Sequence, residues 1–70
     1  MKAGTLKEML ERRPFQPFEV RMSNGDVHQV RYPNYAFVLR SMLFVGDPDA
    51  DAVAFCALDQ IVSANTPQAA

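Results

Sequence analysis

The sequence predicts a mainly β domain that begins with one short helix and continues as a small five-stranded barrel or a strongly bent antiparallel sheet. Short apolar runs that alternate with polar residues predict strands, and glycine, proline, asparagine and aspartate separate these runs at short intervals. An amphipathic segment near the N-terminus has helical spacing. The chain of 70 residues has the length of a single domain. We expect this domain to span residues 1–65 and to be followed by a flexible tail at residues 66–70.

The first predicted element is a helix over about residues 6–12. One face of this segment is apolar at the spacing i, i+3, i+4, with Leu6, Met9 and Leu10. Thr5 and Glu8 have the spacing of a capping box, which predicts Thr5 as the N-cap. Pro14 ends the helix because a proline disfavours the α conformation of the preceding residue. So short a helix is unstable alone, and we expect its apolar face to pack on the strands.

The next two strands are predicted to form a hairpin, and the apolar pattern decides the length of its turn. The segment PFEVRMSNGDVHQV alternates on both sides of an Asn-Gly pair. A two-residue loop would mix apolar and polar side chains on one face, because a shift of one residue exchanges the two faces of a strand. A three-residue loop with Gly25 in the left-handed conformation keeps the faces separate. This loop predicts Phe18 opposite Val30 and Val20 opposite His28.

The same register predicts which side chains of the hairpin face inward. Tyr32 falls on the inner face with the apolar residues, whereas Arg21, Gln29 and Arg31 fall on the outer face. Phe15 lies between two prolines that stiffen the connection from the helix. We expect Phe15 to cover the gap between helix and sheet.

The second half of the chain predicts further strands that are apolar on both faces. The runs YAFVL and MLFVG flank Arg40 and Ser41, and they form either two strands joined by a tight turn or one long bent strand. The polar loop DPDAD precedes a strand with the sequence AVAFCA. The tripeptide LDQ predicts a short 3₁₀ turn before the last strand, IVSA.

The order of a helix, five bent strands and a 3₁₀ turn before the last strand resembles the SH3-like barrel, in its Sm-like version with an N-terminal helix. The segments RPFQPFEVRMSNGDVHQVRYP, RSMLFVGDPD and IVS also resemble a family of short uncharacterised bacterial proteins. That family shares an R-P-F-x-P-F start, a glycine turn and a V-x-[HY]-P strand end. The likeness covers about residues 10–63. It implies the fold and assigns no activity and no site residue.

No pattern in the sequence predicts catalysis or a cofactor. His28 is the only histidine and Cys56 the only cysteine, and a catalytic pair would need the two side chains to meet beside an orienting group. We interpret Cys56 as a buried, inert residue of an apolar strand and His28 as a residue at the rim of the sheet. We therefore predict that the protein is not an enzyme.

An acidic loop is the one motif that suggests a metal. Asp47, Asp49 and Asp51 alternate as at the start of a calcium loop. Such a loop requires glycine at its sixth position and glutamate at its twelfth, where this chain has Ala52 and Leu58. We interpret the loop as a solvated hairpin tip and predict no metal site.

The charges divide the chain in two. Residues 1–40 carry seven basic and four acidic residues, a net charge of +3, and residues 41–70 carry four aspartates, a net charge of −4. The formal net charge of −1 argues against non-specific nucleic-acid binding as the main function. An Sm-like RNA-binding regulator is the alternative function, and its predicted RNA contacts are Arg21, Gln29 and Arg31.

The preferred function is a non-catalytic interaction module that associates with itself or binds a protein partner. So short a chain buries little apolar surface alone, and a single cysteine cannot form an internal disulfide. The charge division would suit a head-to-tail contact that closes into a ring. The predicted contact residues are Tyr35, Phe37, Leu43 and Phe44, with the alternative that some of them fill the core. No apolar run reaches the length of a membrane span, and we expect a cytoplasmic protein that does not bind membranes.

Overall fold

The computed structural model describes residues 1–66, and within them it contains one helix, six strands and two 3₁₀ turns. The helix α1 spans Ala3–Glu11. The strands are β1 (Phe18–Met22), β2 (Val27–Val30), β3 (Ala36–Val38), β4 (Met42–Asp47), β5 (Ala52–Ala57) and β6 (Ile61–Asn65). The 3₁₀ turns are Pro33–Tyr35 and Leu58–Gln60. The predicted tail at residues 66–70 lies, apart from Thr66, outside the described residues.

The six strands form two antiparallel sheets of three strands each. The first sheet has the order β2-β1-β6 and the second the order β3-β4-β5. The prediction of a mainly β fold with one N-terminal helix is confirmed. The runs YAFVL and MLFVG form the separate strands β3 and β4, so the structure has six strands where five were predicted. Within residues 1–66 the two sheets do not join into a closed barrel.

The β1–β2 hairpin has the predicted register. Phe18 pairs with Val30, and Val20 pairs with His28. Gly25 has a φ of +95°, and its amide donates a hydrogen bond of 3.0 Å to the last carbonyl of β1. Glycine adopts this left-handed conformation without steric cost. The three-residue loop therefore depends on Gly25, and through it the apolar side chains of β1 and β2 share one buried face.

The helix packs through the predicted apolar face. Leu6 is fully buried, and Met9 and Leu10 are almost fully buried. These three side chains join a core formed with the inner faces of both sheets. The largest fully buried side chains of that core are Phe18, Leu6, Leu43, Val20, Val30 and Cys56. Among the described residues, no helix is both long enough and apolar enough to cross a membrane.

The helix begins earlier than predicted, and the prediction of Thr5 as its N-cap is wrong. The N-cap is Lys2, which makes no side-chain capping hydrogen bond. The amino group of Met1 instead donates a hydrogen bond of 3.0 Å to the carbonyl of Leu58. This long-range contact holds the chain immediately before α1. The helix therefore starts beside a tertiary contact and without the predicted capping box.

Tyr32 lies outside the core, so its predicted place on the inner face is wrong. β2 ends at Val30, and the 3₁₀ turn that begins at Pro33 interrupts the strand alternation. The Tyr32 side chain is exposed, and its ring meets that of Tyr35 edge-on at a centroid distance of 5.6 Å. Phe15 is partly buried and packs against the core, as expected for a residue between helix and sheet.

Replacing Gly25 with alanine should lower the free energy of unfolding by about 1 kcal/mol, because the left-handed conformation is strained for any residue with a Cβ. No heavy atom lies within 4 Å of the added Cβ, so the loss would come from the backbone and not from a clash. Gly4→Ala is the control, because Gly4 lies in α1 in equally open space. It should raise stability by about 0.5 kcal/mol. Equal urea midpoints for Gly25→Ala and the parent would contradict the strained turn.

Leu6→Ala and Thr5→Ala form a matched pair of neighbours on α1. Leu6 is fully buried, and its truncation should cost about 2–5 kcal/mol of unfolding free energy. Thr5 is exposed and caps nothing, so Thr5→Ala should change stability by less than about 0.5 kcal/mol. Thermal unfolding followed by circular dichroism measures both. A loss of comparable size in the two variants would show that Thr5 stabilises the start of the helix after all.

Candidate functional site

An aromatic ladder crosses the outer face of the second sheet. Phe37 on β3 pairs with Phe44 on β4, which pairs with Phe55 on β5. The ring centroids of successive pairs are 4.7 Å and 5.0 Å apart. Because strand side chains alternate between faces, the ladder lies opposite the inward residues Leu43 and Cys56, which are fully buried. Three rings therefore stand side by side on the surface of one sheet.

Two further rows extend this ladder along the strands in both directions. The row toward the β3–β4 turn consists of Leu39, Met42 and Ala57. The row toward the β4–β5 turn consists of Tyr35, Gly46 and Val53. We call the ladder and these two rows, nine residues in all, the apolar face. None of the nine carries a charge at neutral pH.

Much of the apolar face is open to solvent in the single chain. Phe55 is 66% exposed, Val53 58% and Phe37 54%. Leu39 and Tyr35 are exposed by about half, while Phe44 is half-buried between its two neighbours in the ladder. The largest apolar patch on the surface of a monomeric protein is often functional.

The outer face of the first sheet has the opposite character. Glu19 pairs with Gln29 on one side and with Asn65 on the other, and Arg21 pairs with Ser63. Exposed valines, Val27 and Val62, occur singly among these polar residues. Two sheets of equal strand number thus present one polar and one apolar outer surface.

Three of the four predicted self-association residues belong to the apolar face. These are Tyr35, Phe37 and Phe44. Leu43 points inward, with none of its surface exposed, so its assignment as a contact residue is corrected to the core. The reason is strand alternation, because the adjacent residues 43 and 44 must face opposite sides of the sheet.

Phe55, Val53 and Leu39 belong to the apolar face but were not among the predicted contact residues. The β5 segment AVAFCA is apolar at every position, so hydrophobicity does not show which side chains face the core. Side-chain size carries the signal instead. Large residues alternate with the small Ala54 and Cys56, and the small ones face inward. In a close-packed core the small side chains of Ala54 and Cys56 leave room for the larger residues of the facing elements.

Of the predicted RNA contacts, Gln29 and Arg31 line one cleft, and Arg21 is not part of its lining. Arg21 pairs with Val27 at the turn end of β2. Arg31 lies four residues after Val27, about 13 Å from it at the rise of a strand. Glu19, opposite Gln29, places a carboxylate between the two arginines. The Arg31 guanidinium is itself paired with the Asp49 carboxylate at 3.5 Å.

A cleft of about 510 Å³ lies between β2 and the adjoining ends of β4 and β5. His28, Gln29, Arg31 and Asp47 contribute to its lining. The Asp47 carboxylate accepts hydrogen bonds from the amides of Asp49 and Ala50, at 3.1 and 3.3 Å. Asp47 therefore shapes the β4–β5 turn, and Arg31 is held by its ion pair at the edge of the cleft.

Cys56 has the properties of a structural residue. It is fully buried on the inner face of β5, and burial raises the pKa of its thiol. A raised pKa keeps the thiol protonated at neutral pH, which makes it a poor nucleophile. His28 lies on the other sheet, opposite Val20. In the part of the chain that the structure describes, no three His, Cys, Asp or Glu side chains are grouped so as to hold a metal ion.

Comparisons of the chain with protein-family models, with curated proteins and with solved structures found no match. The resemblance to the R-P-F-x-P-F family therefore stays a prediction. The candidate site rests on the geometry of the apolar face alone.

Gly46→Ala should disturb the apolar face, because a Cβ at this position would lie 3.0 Å from the carbonyl oxygen of Tyr35. The backbone of Tyr35 must shift to relieve this contact, at a cost of about 1–3 kcal/mol. Near-ultraviolet circular dichroism reports the displaced tyrosine, and urea unfolding reports the lost stability. Gly4→Ala, where the added Cβ meets no atom within 4 Å, is the control. An unchanged tyrosine signal and midpoint would contradict the close approach of β4 to Tyr35.

Proposed function

We propose that this chain is a non-catalytic interaction module that uses the apolar face as its binding surface. The observation that carries the proposal is the exposed ladder of Phe37, Phe44 and Phe55 on one of two otherwise similar sheets. Aromatic side chains are enriched at protein interfaces and are prominent among the residues that supply most of the binding energy. The partner is either a second copy of the chain or another protein.

The proposal includes a barrel-like fold of the SH3 type, in its Sm-like version with an N-terminal helix. The strand order supports it, because the first strand pairs with the last in one sheet and β3, β4 and β5 follow in sequence in the other. β2 and β3 are consecutive along the chain and separated only by residues 31–35. Taken together they form one bent strand that passes between the sheets, which reduces the six segments to the five strands of such a barrel. The 3₁₀ turn Leu58–Gln60 stands directly before the last strand.

RNA binding is the second candidate function. It is favoured by the exposed Arg21, and by Gln29 and Arg31 at the edge of the cleft. Glu19 between the arginines and the Arg31–Asp49 ion pair weigh against it, because both reduce the positive potential that attracts phosphates. A protein partner on the apolar face is therefore the better supported function. The single buried cysteine suits a reducing compartment, and we place the protein in the cytoplasm.

Phe55→Glu should abolish partner binding and leave the fold intact. Phe55 is 66% exposed, and Val62 on the polar first sheet is 63% exposed, so Val62→Glu introduces the same charge at a matched position away from the apolar face. Each variant should lose no more than about 1 kcal/mol of unfolding free energy, because neither side chain is part of the core and Phe55 contributes a single cross-strand aromatic pair with Phe44. The parent, Phe55→Glu and Val62→Glu proteins are immobilised and incubated with a lysate of the source cells. Retained proteins, including copies of the chain itself, and RNA are then identified at low and high salt.

The parent and Val62→Glu should retain the same protein, and Phe55→Glu should lose it at both salt concentrations. Retention of the same proteins by all three would contradict the apolar face as the binding surface. RNA that is retained at low salt, lost at high salt and unaffected by Phe55→Glu would favour the RNA-binding function.

A further inference from the structure

We propose that the occupant of the apolar face is a second copy of this chain, packed face to face about a two-fold axis that runs along the ladder of Phe37, Phe44 and Phe55. The inference rests on the proposed function and names its partner. A surface of nine uncharged residues needs a partner surface that is equally free of charge, since an unpaired charge buried against it would be costly. In a two-fold contact the same patch serves both partners, and the apolar face meets this requirement by itself.

The area of the apolar face suits a small dimer interface. Its five most exposed residues are between 49% and 66% exposed. Three of them are aromatic, and a fully exposed aromatic side chain has a surface of about 200 Å². The five residues together therefore expose about 500 Å². That is about a tenth of the 4879 Å² surface of the chain, the share that a typical interface takes from a small protein. The half-buried Phe44 and Met42 and the turns at both ends add to this area and bring it toward the ~800 Å² per partner of stable complexes.

The two ends of the apolar face carry opposite charge. The β3–β4 turn holds Arg40, and Met1 and Asp59 line the same surface depression. The amino group of Met1 is bonded there to the carbonyl of Leu58. With the Asp59 carboxylate, this end has a net charge of +1. The other end is the β4–β5 turn, with its aspartates at 47, 49 and 51 and the Arg31 that pairs with one of them, for a net charge of −2. The face therefore has a basic end and an acidic end.

This polarity selects one of two ways to stack the sheets. A two-fold axis parallel to the strands would place basic end on basic end and acidic end on acidic end. An axis along the ladder, perpendicular to the strands, places the basic end of each copy over the acidic end of the other, and does so twice. Complementary charges favour the second arrangement, and juxtaposed like charges disfavour the first. The partner strands then run antiparallel across the interface, with Phe44 over the partner's Phe44.

Sedimentation equilibrium across a hundredfold concentration range tests the association. The parent and Val62→Glu should dimerise with equal dissociation constants, and Phe55→Glu should raise the constant by at least a hundredfold while its far-ultraviolet circular dichroism spectrum matches that of the parent. A parent that stays monomeric overturns the inference. So does a dimer that Val62→Glu dissociates and Phe55→Glu does not. The proposed function is tested by a different experiment, the retention of proteins from the lysate. It fails if no protein is found whose retention depends on Phe55.

A double-mutant cycle tests the orientation. Arg40→Gln and Asp51→Asn neutralise the two ends, and asparagine tolerates the positive φ of 52° at position 51. Within one chain these residues lie at opposite ends of the second sheet, about 20 Å apart by the rise of a strand, which exceeds the screening length of about 8 Å in physiological salt. If the effects of Arg40→Gln and Asp51→Asn on the dissociation constant of the dimer are not independent, the two residues interact between copies and not within one chain. Each single variant should weaken the dimer severalfold, and the double variant should be little weaker than either. Strictly multiplicative effects would overturn the antiparallel arrangement.

Discussion

The close-packed core that the two sheets and α1 share is the constraint on which the rest of the structure depends. Phe18, Val20 and Val30 enter it from the first sheet, and Leu6 enters it from α1. β5 contributes the small side chains of Ala54 and Cys56 to this core. A shift of β5 by one residue would place Phe55 inside, and a core packed at crystal density does not accept that volume. The same packing that makes the core compact therefore forces the aromatic ladder to the surface.

The elements that the sequence predicts well are those whose information is local. In the β1–β2 hairpin, apolar and polar residues alternate on both sides of Gly25, so one loop length keeps the faces separate, and the structure has that register. The apolar stripe of α1 is likewise complete within two turns, and its three residues are buried. In both cases a periodic contrast between apolar and polar side chains specifies which face is covered.

Where that contrast is missing, the sequence leaves the structure open. β5 is apolar at every position, so hydrophobicity alone does not distinguish Phe55 from Cys56. The division of YAFVL from MLFVG and the inward place of Leu43 depend on how the second sheet fits over the first. α1 starts beside a long-range hydrogen bond from Met1, and Tyr32 directly precedes a 3₁₀ turn. These outcomes are decided by tertiary contacts, which no short stretch of sequence contains, and the same is true of most of the apolar face.

The first sheet shows that this fold does not require an apolar outer surface. Its strands pair Glu19 with Gln29 and Arg21 with Ser63 on the outside, and they form a sheet of the same size. Cross-strand aromatic pairs stabilise a sheet by about 0.2–1 kcal/mol each, which gives the monomer a reason for the ladder. It gives no reason for Leu39 and Val53, which extend the apolar surface into the rows beside the ladder. An exposed apolar surface on strands also favours aggregation unless something covers it. A partner that covers the whole face and aligns its charged ends accounts for both the extent of the apolar surface and the aspartates and arginine that bound it.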